Sequence, residues 1–484
     1  MAVDLKLQKT QISSKKLHEV YLALSTQDRR KYLAINDCIK FGETYIKPYD
    51  RKWTSKTADF HYGLIEAILT YKRLQIHIPF EHAKTTWISI VFPIWQIVKD
   101  VNTQILLISA TPKLVQKCLA IVSWHLLNNK LLLKDFPYLR KNEELEKWTD
   151  QQIYVERDSI SKDPTVEAVG VGGNILGGRY NWIIGDDICD RNNMNTKMLR
   201  DKSEDWWLND VTSRIVEGGH IANQGTLQHS DDLGVRLSKK KTYHYIKKEA
   251  IINEEKGEVL WEDRFPLKRL QDIRDDVGTL IFERGYQNNI EAFEGKLLKE
   301  EWLHYYEEGS VKISTLRIYF GVDPDIAEMN ISRLEASKHA WFVIAVLGWE
   351  PIKNIVYILK TYYDVLDFPE QVKQIVKHYG IYNPVKILVE DNFYQKALKQ
   401  QLFLKGLPVF GVTSTRNKVF RIESRAPDYE SGRIRILRSQ HELIQEHIHF
   451  GDEDYKNDVL DAIDIGMKGI PIRSQMREVT GGVL

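Results

Sequence analysis

Apolar positions along the chain fall into two kinds of run. Leu74 to Ile78 and Gln104-Ile-Leu-Leu-Ile-Ser109 are continuous, as in strands buried on both faces. Each precedes a stretch with helical spacing, Thr85 to Val98 and the one beginning Ala110-Thr111-Pro112. Tyr180 to Gly185 and His220 to Thr226 add short apolar strands, so the first half predicts a mostly parallel sheet covered by helices. Later, Leu316 to Asp323, Ala340 to Trp349 and Ile355 to Tyr363 follow one another with no helix between them, an antiparallel meander. A helix (Pro369 to Tyr379), a strand (Val385 to Glu390) and alternating helices and short strands continue to about Gly469. Residues 1 to about 55 are polar and helical in tendency, with Leu17, Val20, Tyr21 and Leu24 at helix spacing, and suit a lid or a partner-binding arm.

At 484 residues the chain exceeds what a single core usually carries. The pattern divides it into an arm (1–55), a first α/β domain (56–290), a linker (291–312), a second domain (313–472) and a tail (473–484). With 43% hydrophobic and 28% charged residues it is a folded protein. The net charge of +1 means that any nucleic-acid surface must be a local patch. Cys38, Cys118 and Cys189 are isolated and lack metal spacing, which suits a reducing cytosol. The N-terminus has no apolar run of signal-peptide length, and WISIVFPIWQIV is short and broken by Pro93, so neither export nor a membrane span is expected.

Candidate chemistry enters at Leu74 to Trp87, a strand, a tight loop and the start of a helix. Lys84-Thr85 at that junction matches the end of the phosphate-binding pattern G-x-x-x-x-G-K-[ST], in which backbone amides wrap phosphates, the lysine reaches the outer ones and the hydroxyl ligates magnesium. Pro79, His82, Ala83 and Thr86 complete the expected nucleotide loop, although Ile78 and Ala83 occupy the two glycine positions. Asp186-Asp187 follow the carboxyl end of the Tyr180 strand, where open α/β sheets bind ligands. One carboxylate would hold magnesium and the other would orient the attacking water. Taken alone, the loop is an ordinary strand-to-helix turn and the aspartates cap a helix. The His220 to Thr226 strand ends in small polar residues placed to sense hydrolysis, and taken alone it is a strand and a turn.

Three strands, helix, strand, helix is the order of a ribonuclease-H-like fold, and acids fall where that fold keeps its metal site. Asp323 ends the first strand, Glu390 ends the fourth, and Asp458 opens the last helix with Asp461 one turn on. Such carboxylates can bind two divalent ions that act on a phosphodiester. Asp325, Asp391, Asp452 and Asp454 lie nearby. Thr413 to Arg438 carries Arg416, Lys418, Arg421, Arg425, Arg433, Arg435 and Arg438 against Glu423, Asp428 and Glu430. That excess suits either a grip on a DNA backbone or a solvated helix face.

These stretches, in the order PFEHAKTT, AVGVGGNILGGRYNWIIGDD, IANQGTLQHSDDL, YQNNIEAFEGKLLKEEW, FGVDP, ILVED, NKVFRIESRAPDYESGRIRIL and NDVLDA, resemble the large terminase subunit of tailed bacteriophages over residues 60 to 470. The resemblance implies an N-terminal P-loop ATPase joined to a C-terminal ribonuclease-H-like nuclease. It implies ATP and magnesium at Lys84, Thr85, Asp186 and Asp187, a coupling motif at Gly225-Thr226, and two Mg2+ or Mn2+ ions at Asp323, Glu390 and Asp458. Implied partners are double-stranded DNA, a small terminase subunit and the portal of a procapsid in the host cytoplasm, with a homo-oligomeric ring on the portal and a monomer in solution as the alternative. The chain departs from the family at Glu81, where arginine is usual, at Ala83, where glycine is usual, and at Asn457, the first of two usual aspartates. Arg157 and Arg179 are candidates for the arginine that acts on the triphosphate. A helicase-nuclease of repair or defence, a recombinase and a binding protein with decayed sites are the competing functions.

Overall fold

The computed structural model describes residues 25–139, 148–159, 161–175, 177–194, 196–289, 298–324, 341–390, 395–413, 418–451 and 455–471. Arg416, Asp325, Asp391, Asp452 and Asp454 lie outside the described residues. The chain divides into two compact units, residues 1–272 with 282–290, and residues 273–281 with 291–484. Among the described residues no helix is long and apolar enough to cross a membrane.

The first unit holds β1 (Arg73–His77), β2 (Ile105–Ser109), β3 (Gln152–Ile153), β4 (Val166–Gly170), β5 (Tyr180–Asp186), β6 (Ile215–Gly225) and β7 (His244–Lys247). They form one sheet in the order β3-β4-β2-β5-β6-β1-β7, parallel throughout except where β3 meets β4. A separate antiparallel pair joins β8 (Ile251–Asn253) and β9 (Glu258–Val259). Every residue of β2 and β4 is buried, as continuous runs in a sheet covered on both faces require. β4 escapes sequence reading because Glu167 interrupts it; that carboxylate is buried and accepts the Tyr180 hydroxyl proton, so the charge is accommodated inside. After β1 the chain enters a helix whose first stretch, Thr85–Val91, is wound with wide turns and continues as α-helix over Phe92–Lys99. Pro93 has no N–H to give an α-helical ladder, and the wide turn lies just before it.

The described part of the expected arm is core rather than lid. Ala34, Cys38, Ile39, Phe41, Tyr45 and Ile46 are buried, and the Trp95 indole donates to the Ala34 carbonyl at 2.9 Å. Asp135 receives the Arg30 guanidinium at 2.7 and 2.8 Å and the Tyr45 hydroxyl at 2.7 Å, fixing these helices to the unit.

The second unit holds β10 (His304–Tyr306), β11 (Arg317–Asp323), β12 (Phe342–Glu350), β13 (Ile355–Asp364), β14 (Lys386–Glu390), β15 (Val409–Val412) and β16 (Ile434–Leu437). Their order is β10-β16-β13-β12-β11-β14-β15. β11, β12 and β13 are the expected antiparallel meander, and the other pairs are parallel. β10 comes from the stretch expected to be linker. Strand alternation gives β11 two faces. Ile318, Phe320 and Val322 share one core with Ile375, Leu398 and Leu402 of the helices Phe368–Tyr382 and Gln395–Leu404. Tyr319 faces the other core with Leu460 and Ile463 of the helix Asp458–Met467. Gly321 lies on that second face, and a Cβ there would stand 1.8 Å from the Ala462 carbonyl oxygen. Only glycine lets the helix settle this close to β11, and Asp323 is the next residue of β11 on the same face.

Candidate functional site

The parallel order sets the carboxyl ends of β5, β6 and β1 side by side. The Asp187 amide donates to the Gln224 carbonyl at 3.0 Å and the Ile78 amide to the Gly225 carbonyl at 3.1 Å, so the segments leaving the three strands are joined. Three groups of expected residues therefore converge. Thr85 Oγ1 donates to Asp186 Oδ1 at 3.1 Å, Lys84 Nζ lies 3.6 Å from Asp187 Oδ2, and the Thr226 amide donates to Asp187 Oδ1 at 3.2 Å. Gly225 leaves room for this contact, since a Cβ there would come within 3.3 Å of Asp187 Oδ1. Burial, then the charge of Asp187, raises the Asp186 carboxyl above the ordinary range, to about 6.

Beside them opens a cavity of about 580 Å³ lined by Phe80, Glu81, Ala83, Lys84, Thr85, Thr86 and Asp187, with Asp50, Lys52, Trp53, Trp261, Arg264 and Tyr286 as its other walls. Three non-glycine residues around it have left-handed backbone, Glu81 (φ 58°), Ala83 (φ 59°) and Asp187 (φ 45°). Such backbone costs about 1–2 kcal/mol per residue, and its concentration here marks a loop held in shape by its surroundings. Ile78 is fully buried and belongs to the core rather than the loop.

Not every expected nucleotide residue faces this cavity. Pro79 is buried, and His82, also buried, stacks on Phe265 with ring centroids 4.6 Å apart and bonds through Nδ1 to the Phe80 carbonyl at 2.8 Å. His82 thus supports the loop from beneath. The two candidate arginines are engaged elsewhere: Arg157 donates to the Asp163 carbonyl at 2.8 Å and to Thr165 Oγ1 at 3.1 Å, and Arg179 donates to the Ser213 carbonyl. Arg264, which sequence reading passed over, is the arginine that lines the cavity. The signal available for it was its place in an aromatic run, Trp261 to Phe265.

Beneath the site a row of buried polar groups crosses three strands. Asn223 Nδ2 on β6 donates to Gln75 Oε1 on β1 at 2.7 Å, the Gln75 amide nitrogen donates to His77 Nε2 at 3.3 Å, and His77 Nδ1 donates to the Tyr245 hydroxyl on β7 at 2.9 Å. Burial lowers the His77 imidazole to about 4, so the ring is neutral, as an accepting Nε2 requires.

In the second unit the parallel register of β11 and β14, Val322 opposite Val389, brings Asp323 and Glu390 to the same end. Asp458, Asp461 and Asp464 recur at helical spacing on the buried helix Asp458–Met467. Facing them are bases at matching spacing, Lys418, Arg421 and Arg425. Lys418 Nζ is 2.6 Å from Asp458 Oδ1, 3.4 Å from Asp323 Oδ2 and 3.7 Å from Asp461 Oδ2. Arg421 donates to Glu390 Oε1 at 2.9 Å and to Asp461 Oδ2 at 2.9 Å, and Arg425 Nε to Asp464 Oδ1 at 2.6 Å. These bases turn inward onto the acids and form no solvated helix face. The cause is electrostatic, since buried carboxylates at this density need internal cations.

Burial raises the Asp323 and Asp461 carboxyls, opposed chiefly by Lys418. Burial alone would lower the Lys418 ammonium, but Asp323, Asp458 and Asp461 together hold it above its ordinary value. Glu446, unnoticed in the sequence, caps this helix in place of Asn457. It accepts the Val459 amide at 3.2 Å and the Leu460 amide at 2.9 Å, and burial pushes its carboxyl up to about 8. Among the described residues no three His, Cys, Asp or Glu side chains form a ready metal cage. Nevertheless the donors of this cluster are all carboxylate oxygens, which suits magnesium or manganese, and the Lys418 ammonium stands where a cation is wanted.

No protein-family model and no curated protein matches the chain. Among solved structures it is similar to the large terminase from a thermophilic bacteriophage, at 11% identity over 86% of this chain and 99% of that one, with a TM-score of 0.49. The same terminase in complex with ADP gives 12% identity, 84% and 98% coverage and a TM-score of 0.47. The large terminase nuclease from a second thermophilic phage, with bound magnesium, gives 10% identity, 36% and 97% coverage and a TM-score of 0.28.

Proposed function

We propose that this chain is an ATP-driven DNA-packaging motor subunit that also cuts DNA with a metal-dependent nuclease. The observation that supports it is that one chain carries both a phosphate-binding loop meeting an acidic pair and a ribonuclease-H-like sheet whose strand-end acids meet those of its last helix. In the first unit, Lys84 Nζ would take the outer phosphates, Thr85 and Asp186 would hold magnesium, and Asp187 would orient the attacking water. The aromatic walls Trp53, Trp261 and Tyr286 suit a nucleobase. The Thr226 amide on Asp187 links the acidic pair to β6, so Gly225-Thr226 serves as the coupling element.

In the second unit, Asp323, Glu390 and Asp458, with Asp461, would hold two magnesium or manganese ions. Such ions, when bound, activate water and stabilise the leaving oxygen of a phosphodiester. Arg421 orients Glu390 and Asp461, and Lys418 balances the charge of the cluster. The substrate is double-stranded DNA, and the partners are a small terminase subunit, a procapsid portal in the host cytoplasm and further copies of this chain in a ring on that portal.

The deciding experiment mixes purified protein, linear plasmid, ATP and empty procapsids and assays DNA protected from added nuclease. Protection that depends on ATP is the expected result; strand separation without protection would turn the reading to a helicase-nuclease.

A further inference from the structure

The cavity beside Lys84 has a charge problem. Lys84 lies 3.6 Å from Asp187, and Asp50 and Glu81 add carboxylates that more than offset Lys52, while a nucleoside triphosphate brings several negative charges. Arg264 lines the same cavity from a distant part of the chain. Its guanidinium carbon lies 5.4 Å from the Trp261 ring and 5.6 Å from the Phe265 ring, and its Nη2 stands 3.6 Å from Glu81 Oε2, too long for a hydrogen bond. Its Nε is buried and has no hydrogen-bond partner. A guanidinium at the edge of a phosphate loop whose outer nitrogen has its nearest carboxylate beyond hydrogen-bond distance is set for an anion.

The turn that carries it is fixed. The Trp261 indole donates to the Lys56 carbonyl at 2.8 Å, the Lys56 amide donates to Asp263 Oδ2 at 2.8 Å, and Phe265 stacks under His82 of the loop. Loop and turn thus share one packed support, and Arg264 approaches the cavity without ordering a new segment.

We infer that Arg264 is a second phosphate-binding cation, one that leaves Glu81 to grip the outer phosphates of a nucleoside triphosphate; this rests on the ATPase reading. Glu81 then acts as a placeholder, holding the guanidinium at the cavity mouth in the absence of nucleotide. The pair makes the site discriminate by phosphate number, because a monophosphate does not reach far enough to displace Glu81.

Calorimetric titration of the full chain with Mg-ATP, Mg-ADP and AMP tests this. Arg264→Ala should weaken ATP about tenfold and leave AMP within about twofold, Arg264→Lys should fall between, and Glu81→Gln should tighten ATP by about threefold. ATP affinity equal to wild type in Arg264→Ala overturns the inference. Should that variant fail to fold, unchanged ATP affinity in both Arg264→Lys and Glu81→Gln overturns it. Wild-type protein that binds none of the three nucleotides overturns the ATPase reading itself, a result distinct from either.

Discussion

The cluster around Lys84 and the cluster around Lys418 are built from the same materials and solve opposite problems. At Lys84 the ammonium stands 3.6 Å from one carboxylate and opens on a cavity of about 580 Å³. At Lys418 the ammonium sits 2.6 Å from Asp458 with two further carboxylates within 3.7 Å, and two arginines close the rest of the ladder. The first sets a loosely paired cation beside an open cavity; the second closes its charges on one another. The difference teaches that a buried acid cluster can be balanced by cations that the chain itself supplies.

The sharpest way to break this comparison is to disable each cluster in turn. Lys84→Ala should lower ATP hydrolysis by about 10²–10³ and spare DNA cleavage, and Asp323→Asn should do the reverse. Phosphate release and plasmid nicking measure both, and loss of both activities in one folded variant would show that the two sites do not act separately. Gly321→Ala is next. Its Cβ would meet the Ala462 carbonyl, so the second unit should lose about 3 kcal/mol of stability in urea titrations, with the first unit unaffected.

Lys418→Met removes the lent cation. The cluster should then bind Mn2+ about tenfold more tightly by electron paramagnetic resonance, whereas weaker binding would make Lys418 a support of the site rather than a competitor.

The smallest effect separates the units by pH. Burial lowers His61, His77, His82 and His125 in the first unit to about 4, so the folded state binds fewer protons than the unfolded one between about 4 and 6.5. Stability from these groups is present above the ordinary histidine range and lost as pH falls through it. In the second unit Asp323 is raised to about 7 and Glu446 to about 8, so their contribution is present at low pH and lost as pH rises through those values. Asp186 and His447 each pull against the trend of their own unit. Hydrogen exchange of the whole chain in EDTA, corrected for intrinsic rates, should show protection moving in opposite directions in the two units between about pH 5.5 and 7.5.

How much of this was legible follows from the range of the interactions. Continuous apolar runs gave β1, β2 and β5, and the Leu316 to Tyr363 meander appears with its expected pairing. Lys84, Thr85, Asp186 and Asp187 meet because parallel strands deliver their ends to one edge, which follows from strand order. Ala83 occupies the left-handed backbone that makes glycine the usual choice there. The inward pairing of Lys418, Arg421 and Arg425 is not readable from composition, which counts charge and cannot say which way it points. Their spacing, matched to Asp458, Asp461 and Asp464, was the available clue. Arg264 was out of reach because only tertiary packing carries it to a loop that precedes it by so much sequence.

The row from Asn223 through Gln75 and His77 to Tyr245 has one further property. Each member hands a proton in the same direction, so the row carries a sense, like an arrow laid across β6, β1 and β7. Gln75 cannot turn its amide over without leaving Asn223 facing a donor and His77 facing an acceptor with no proton between. The imidazole cannot change tautomer while Gln75 stays as it is. The members therefore switch together or not at all, and a side chain at the edge strand keeps in step with one two strands further in.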